Sequence, residues 1–428
     1  MAIPTVRVGL LGCGNVGAAL VKLLTERPDE LARRCGLRLE LTRVAVRSTA
    51  KERGITLPEG VLTHDATAVV ADPDIDVVVE VVGGIEPART LVLEALQNGK
   101  PVVTANKELL ANVGAELFKA AAAAGVDLLF EASVGGGIPL IRPLRESLAG
   151  ERINRVMGIV NGTTNYILTR MTEEGASYAD ALAEAQSLGY AERDPTADVE
   201  GYDAGAKAAI LATIAFGVRV VAGDVYREGI SGVTAADIAF AGRMGYVVKL
   251  LAIAERVDGE VAVRVHPAML PLDHPLAAVR GSFNAVFIEG EAVGELMLYG
   301  RGAGGMPTAS AVLGDLIDAG HNLLAGGAGR TADLDRAVVH PVDKLSSQYY
   351  LSLEVADRPG VARDVFGVVA THGVSIRSME QEGLGDEARL ILITHLAPER
   401  AVQATIADLR ELDAVDRIGT LLRVVGQE

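Results

Sequence analysis

Short apolar runs and segments with apolar residues at helical spacing take turns along the first third of the chain. Val6–Leu11 is an apolar run. It leads through Gly12-Cys13-Gly14-Asn15-Val16-Gly17 into a helical pattern over Ala18–Glu26. Leu39–Val46 reads as a second strand. Ile75–Val82 is nearly continuous in Val and Ile, as strands of a parallel sheet buried on both faces are. A helix follows over Pro87–Asn98, a strand over Pro101–Thr104, a helix from Glu108 and a strand over Asp127–Glu131. This alternation predicts a Rossmann-like α/β domain, a doubly wound parallel sheet with helices on both faces.

From Arg152 the texture changes. Ile153–Val160 reads as a strand, followed by a helix from Tyr166, a helix over Tyr178–Leu188 and an apolar, buried helix over Tyr202–Phe216. Val218–Glu260 reads as short helices and loops. Strands are expected at Val261–Val265, Ala285–Glu289 and Glu295–Tyr299. Without regular alternation, this part predicts an α+β domain. Gly300–Ser310 is a second glycine-rich helix start, before a helix over Ala311–Ala319, and suggests a return to the first domain. The last stretch has the order βαββαβ, a ferredoxin-like module. The expected divisions are 1–140 with a return segment at 300–324, a substrate and dimerisation domain at 141–299, a linker at 325–347 and the C-terminal module at 348–428.

Composition narrows the function classes. The chain has 428 residues, 49% of them hydrophobic, so it can bury several cores. Its net charge of −16 argues against nucleic acid or an anionic membrane as partner. Every apolar run is interrupted before it reaches transmembrane length. Met1–Gly9 lacks the order of a signal peptide. Two cysteines, Cys13 and Cys35, offer no disulfide framework, which suits a reducing cytoplasm.

The candidate chemistry sits at strand ends and in one acidic stretch. Gly12, Gly14, Asn15, Val16 and Gly17 lie between a strand and a helix. There a tight turn lets a pyrophosphate approach the backbone and the helix N-terminus. No acid ends the second strand to bind a ribose 2′-OH. Arg47, with Lys51 nearby, suits a 2′-phosphate, so NADP(H) is expected over NAD(H). Thr104, Lys107 and Glu131 fall at strand carboxyl ends, where ligands bind in such sheets. The turn Val134-Gly135-Gly136-Gly137-Ile138, just before Pro139 and a helix, is either a plain turn or, with Glu131, a set of oxygens for a hard cation. The stretch Ala185–Lys207 carries Glu192, Asp194, Asp198, Asp203 and Lys207. Asp203 and Lys207 stand at i,i+4 on the Tyr202–Phe216 helix, the spacing of either a solvated ion pair or a substrate-facing pair.

Taken together, Thr104-Ala-Asn-Lys107, Glu131–Ile138, Asn161-Gly-Thr-Thr-Asn165 and the run Gly189…Glu192…Asp194-Pro195…Asp198…Gly201…Asp203…Lys207 resemble homoserine dehydrogenases of the bacterial type with a C-terminal ACT domain. The resemblance covers nearly the whole chain. Arg301 departs from it, standing where the glycine-rich segment more often has proline. It implies interconversion of L-homoserine and L-aspartate 4-semialdehyde with NAD(P), in threonine and methionine biosynthesis. Lys207 and Lys107 would be catalytic, with Lys107 also contacting substrate and cofactor. Glu192, Asp198 and Asp203 would bind substrate, and Thr104 and Gly302 cofactor. Glu131, Val134, Gly136 and Ile138 would hold Na+ or K+, three of them through carbonyl oxygens. The ACT module implies L-threonine as allosteric ligand, lost with catalysis kept if the chain after Lys344 is removed, and the assembly expected is a homodimer or homotetramer. A thiol-dependent aldehyde dehydrogenase fits less well, because neither cysteine is placed as a nucleophile. A hydroxy-acid dehydrogenase would want a histidine base at a strand end of the first domain, and none stands there. A non-catalytic sensor would not need both lysines.

Overall fold

The computed structural model describes residues 3–49, 53–328, 334–383 and 387–426. Lys51 lies outside them. The chain forms two compact units: Met1–Val156 with Ala206–Asp224 and Asn284–Ala337, and Met157–Gly205 with Val225–Phe283 and Val338–Glu428.

The first unit is built on six parallel strands: β1 (Thr5–Leu11), β2 (Arg38–Ala45), β3 (Leu62–Thr63), β4 (Val77–Glu80), β5 (Val102–Thr104) and β6 (Leu128–Leu129). Their order is β3-β2-β1-β4-β5-β6. The winding reverses between β1 and β4, so the ligand crevice of this sheet class opens beyond their carboxyl ends. Every residue of β4 is buried, which explains its unbroken apolar run. Val6, Val8, Leu10, Leu20, Val77 and Val103 share one core with Ala309, Val312 and Leu316 of the helix Gly305–Leu324. That helix follows the late glycine-rich segment.

Several boundaries moved. The first helix starts at Asn15, inside the glycine run, and the late helix at Gly305 rather than Ala311. Both starts sit against backbone: a Cβ on Gly17 would lie 2.4 Å from the Gly12 oxygen, and one on Gly305 2.9 Å from the Asn15 oxygen. β6 is only two residues long, because Glu131 turns out of the strand into a short 3-10 turn, Glu131–Ser133. The helix after the glycine turn begins at Ile141, and Pro143, not Pro139, stands near its start. The helices Pro28–Cys35 and Ala66–Ala71 were not foreseen.

In the second unit one run of strands has the order Tyr246–Val257, Glu260–Pro271, Val415–Val424, Ser346–Ala356, Glu387–Thr394, Ile376–Gly383. Neighbours are antiparallel except where Val415–Val424 runs parallel to Glu260–Pro271, with Ala268 opposite Arg423. The expected βαββαβ module is present, with helices Val361–Thr371 and Glu399–Leu409 covering Tyr349, Leu351, Leu353, Leu390 and Leu392. The last strand of this module joins the sheet of the preceding segment, and the two lie in one compact unit. The 325–347 segment is not a free tether in its described part. Arg219 exchanges backbone bonds with Asp335 and Ala337 in the first unit, and Val261 with Val338 and His340 in the second.

Two further corrections have one cause each. The helix expected from Tyr166 starts at Gly162, because the Asn161 side chain accepts the Thr164 amide and caps it. Tyr246–Val257, read as loops and short helices, is a strand buried along nearly its whole length, so no apolar–polar alternation marks it.

Candidate functional site

At the carboxyl end of β1, Gly12 takes φ +95° and a Cβ there would meet the Val81 carbonyl at 2.9 Å, so only glycine fits this turn. Gly14 differs. A Cβ on it would meet nothing within 4 Å, and the helix Asn15–Glu26 that it caps has neither a side-chain cap bond nor an acid in its first turn. This helix start offers its amides and positive dipole end, which fits a dinucleotide pyrophosphate. Asn15 and Val16 form its first turn. Cys13 is half-buried and burial pushes its thiol upward, which makes thiolate scarce and tells against a nucleophile. Arg47 is exposed just beyond β2.

The ends of β4 and β5 are joined by a carboxylate that sequence reasoning missed. Glu80, fully buried, accepts the Thr104 hydroxyl at 2.6 Å and the amides of Val82 and Gly83 at 2.7 and 3.0 Å. The Thr104 oxygen in turn accepts the Asn106 amide, and the Asn106 side chain caps the helix Lys107–Ala124 while bonding to the Gly84 carbonyl. This network sets half-buried Lys107 on the first helical turn beyond β5. A lone buried glutamate ending an apolar strand was the available signal.

The Glu131 carboxylate accepts the amides of Leu140, Ile141 and Arg142, so it caps the next helix. Its side chain is therefore not the ready cation ligand expected, since at most one oxygen lone pair is left. Asp315 accepts the Glu131 amide at 2.7 Å and the Arg142 guanidinium at 3.0 Å; burial pushes its carboxyl up to about 7. Gly136 lies so close to Gly302 that a Cβ would be 2.4 Å from the Gly302 oxygen, and Gly137 donates to the Arg301 carbonyl. Val134 and Ile138 are buried in this turn. Among the described residues no group of three or more His, Cys, Asp or Glu could hold a metal ion.

In the second unit Asn161 organises the acidic stretch. Its amide nitrogen donates to Asp198 at 2.7 Å and Asp203 at 2.9 Å, while its oxygen accepts the Thr164 amide and hydroxyl. The Thr164 amide can only donate, which fixes which way the Asn161 side chain points. Asp198 lies on the short helix Thr196–Val199 and Asp203 in the first turn of Tyr202–Phe216, where the helix dipole favours a negative charge. Lys207 follows one turn later on that helix and is half-buried. Glu192 is exposed, and its carbonyl accepts the Gln186 amide at 3.0 Å. The hydroxyl and amide of Thr196 hold the Asp194 carboxyl below its usual range. The NGTTN motif was noted in the sequence, but Asn161 was given no role; a strand followed by Asn and small residues was the N-cap signal. Asn161→Ala is expected to raise KM for substrate about tenfold or more, since a hydrogen bond to a charged group contributes roughly 1.5–3 kcal/mol. Steady-state kinetics check this, with cofactor KM as the unchanged control.

Lys249, also missed, is buried in Tyr246–Val257. Its amine donates to the Asn165 side-chain oxygen at 3.0 Å and the Val279 carbonyl at 2.5 Å, and burial lowers its pKa to about 8. The Asn165 amide donates to the carbonyls of Gly281 and Phe283. The same helix is thus held at Asn161 and, one turn on, at Asn165.

Family models match three parts of the chain: the NAD-binding domain of homoserine dehydrogenase over residues 12–131, homoserine dehydrogenase over 139–317 and the ACT domain over 349–414. The homoserine dehydrogenase of Mycobacterium tuberculosis is 51% identical over 433 residues, 98% of each chain. That of Corynebacterium glutamicum is 51% identical over 98% of this chain and 95% of its own. The crystal structure of a homoserine dehydrogenase from Thiobacillus denitrificans superposes with a TM-score of 0.93 at 43% identity, covering 98% of both chains. A hyperthermophilic archaeal homoserine dehydrogenase in complex with NADPH matches 74% of this chain and 98% of its own, at a TM-score of 0.64 and 33% identity. With half-identical relatives along almost its entire length, and an NAD-binding fold and an ACT module where their models place them, the chain belongs to the homoserine dehydrogenase family.

Proposed function

We propose that the chain interconverts L-homoserine and L-aspartate 4-semialdehyde in threonine and methionine biosynthesis, with Lys207 as proton donor. The observation that supports this most is Asn161 drawing Asp198 and Asp203 together on elements leading to Lys207. When bound, the nicotinamide cofactor supplies or takes up the hydride at the substrate's terminal carbon. Lys207 gives its proton to the developing alkoxide oxygen and takes it back in the reverse direction. Lys107 polarises that oxygen or orients the substrate from the end of β5. Asp203 and Glu192 bind the substrate ammonium, and Asp198, held by Asn161, positions it. Absorbance at the nicotinamide band tests the activity: homoserine with oxidised cofactor should reduce it, and no change with either cofactor would sink the proposal.

Gly12, Gly14, Asn15, Val16, Gly17, Thr104, Lys107 and Gly302 would hold the cofactor, with Arg47 facing a 2′-phosphate. Arg47→Ala should erase most of a preference for NADP over NAD, on the order of tenfold for one charge-assisted contact. A kcat/KM ratio that stays the same would remove Arg47 from this role. A monovalent cation, Na+ or K+, would be held by the main-chain carbonyls of Glu131, Val134, Gly136 and Ile138, in keeping with the capping role of the Glu131 carboxylate.

The ACT module supports feedback inhibition by L-threonine, and a homodimer or homotetramer as the assembly. Added threonine is expected to lower the turnover of the full chain; turnover unchanged at saturating threonine would refute the regulatory part alone.

A further inference from the structure

The first unit contains a cavity of about 460 Å³ that the chemistry above does not use. It lies between two helices. Leu110 and Phe118 line it from Lys107–Ala124, and Ile210 and Ile214 from Tyr202–Phe216, with Val220 beyond. These are the helices that carry Lys107 and Lys207. The volume is that of a small-molecule site, within the roughly 300–1,000 Å³ that ligand pockets span.

Its charge is unlike the rest of the chain. The net charge is −16, yet no described residue lining the cavity carries a carboxylate, and the two charged ones, Lys119 and Arg219, are both cationic. The backbone of Arg219 is fixed by bonds to Asp335 and Ala337, so its side chain starts from a set position. Its Nε–H is buried and meets no acceptor among the described residues. A buried donor without an acceptor calls for a partner oxygen. The other polar group on the wall, the Thr213 hydroxyl, is already satisfied by the carbonyls of Ala209 and Val220.

We propose that this cavity binds an amphipathic monocarboxylate, its aromatic or branched apolar body between the two helices and its carboxylate on Arg219. The apolar walls give the body a dry environment, and a planar guanidinium suits a carboxylate through paired N–H donors. A neutral molecule of the same shape would leave the Arg219 donor unmatched.

Isothermal titration of the full chain with 4-phenylbutyrate and with 4-phenylbutanol tests this. The acid is expected to bind at least about tenfold more tightly than the alcohol. Arg219→Met should bring the two within about twofold, while Ile214→Trp, or Ala115→Phe from the opposite helix, fills the space and abolishes binding of both. Homoserine turnover of each variant without ligand reports that it has folded. No binding of the acid to the parent chain, equal binding of acid and alcohol, or undiminished binding to both filled variants would overturn the proposal. Sedimentation of the parent and the filled variants covers the rival occupant, a second copy of the chain. An unchanged subunit count is expected, and a change would mark the cavity as a seam between subunits and overturn the ligand assignment.

Discussion

Lys207→Ala is expected to slow homoserine oxidation by at least about 100-fold while leaving cofactor binding intact, in line with general acid–base contributions of roughly 10²–10⁴. Lys207 stands one turn beyond Asp203 on a helix whose remaining residues are almost all apolar. A neutral side chain there removes the proton source for the alkoxide, and no other lysine, arginine or histidine stands on that helix. Lys207→Arg separates charge from proton transfer. Arginine keeps the charge but does not give up its proton at working pH, so it should recover substrate KM more than kcat. Stopped-flow turnover with a parallel cofactor titration reads both quantities. Turnover of the alanine variant within a few-fold of the parent would pass the role to Lys107.

Arg423→Met is expected to cost about 3–5 kcal/mol of stability, the scale for removing one partner of a buried ion pair. The Arg423 side chain is 3% exposed and bonds to both oxygens of Glu228 and of Glu399. Burial pushes the Glu399 carboxyl upward, but the Arg423 charge outweighs it and holds the group below its usual range. Without the guanidinium, the buried Glu399 carboxylate and the partly buried Glu228 carboxylate are left beside the hydroxyls of Tyr349 and Tyr226. The apparent Tm should fall by on the order of 10 °C. Adding Glu228→Gln and Glu399→Gln to Arg423→Met should restore part of the loss, because the stranded charges are then gone. A single variant that melts with the parent would show that the network contributes little.

How much was legible in the sequence varied with the kind of signal. The parallel sheet was readable because β1 and β4 are buried on both faces and their turns carry glycines at the places backbone meets backbone, as at Gly12 and Gly17. The βαββαβ module was readable because Tyr350–Val355 alternates and its helices have clear starts. Tyr246–Val257 was not, since a strand buried along most of its length looks like any apolar run, and nothing near Lys249 marks it as a buried anchor. The lysines and carboxylates of the candidate site stood out by type and spacing. Glu80 and Asn161, which hold them in place, did not, because their partners lie up to 24 and 42 residues away. The Glu131 carboxylate misled for the same reason: nothing local says that three amides of the following helix will occupy it.

The junction of Val415–Val424 with Glu260–Pro271 also bears on how the proposed threonine regulation can be taken apart. Stopping the chain after Lys344 would strip away more than an effector domain. It would bare the backbone edge of Glu260–Pro271 at Ala268 and Met269, both buried, and take the Arg423, Tyr350 and Thr420 donors away from the Glu228 and Asp237 carboxylates. An open apolar strand edge invites other chains to pair with it. A shortened form would then tend to precipitate before its kinetics could be measured, and the proposed threonine response is better tested through single substitutions on the outer face of the module.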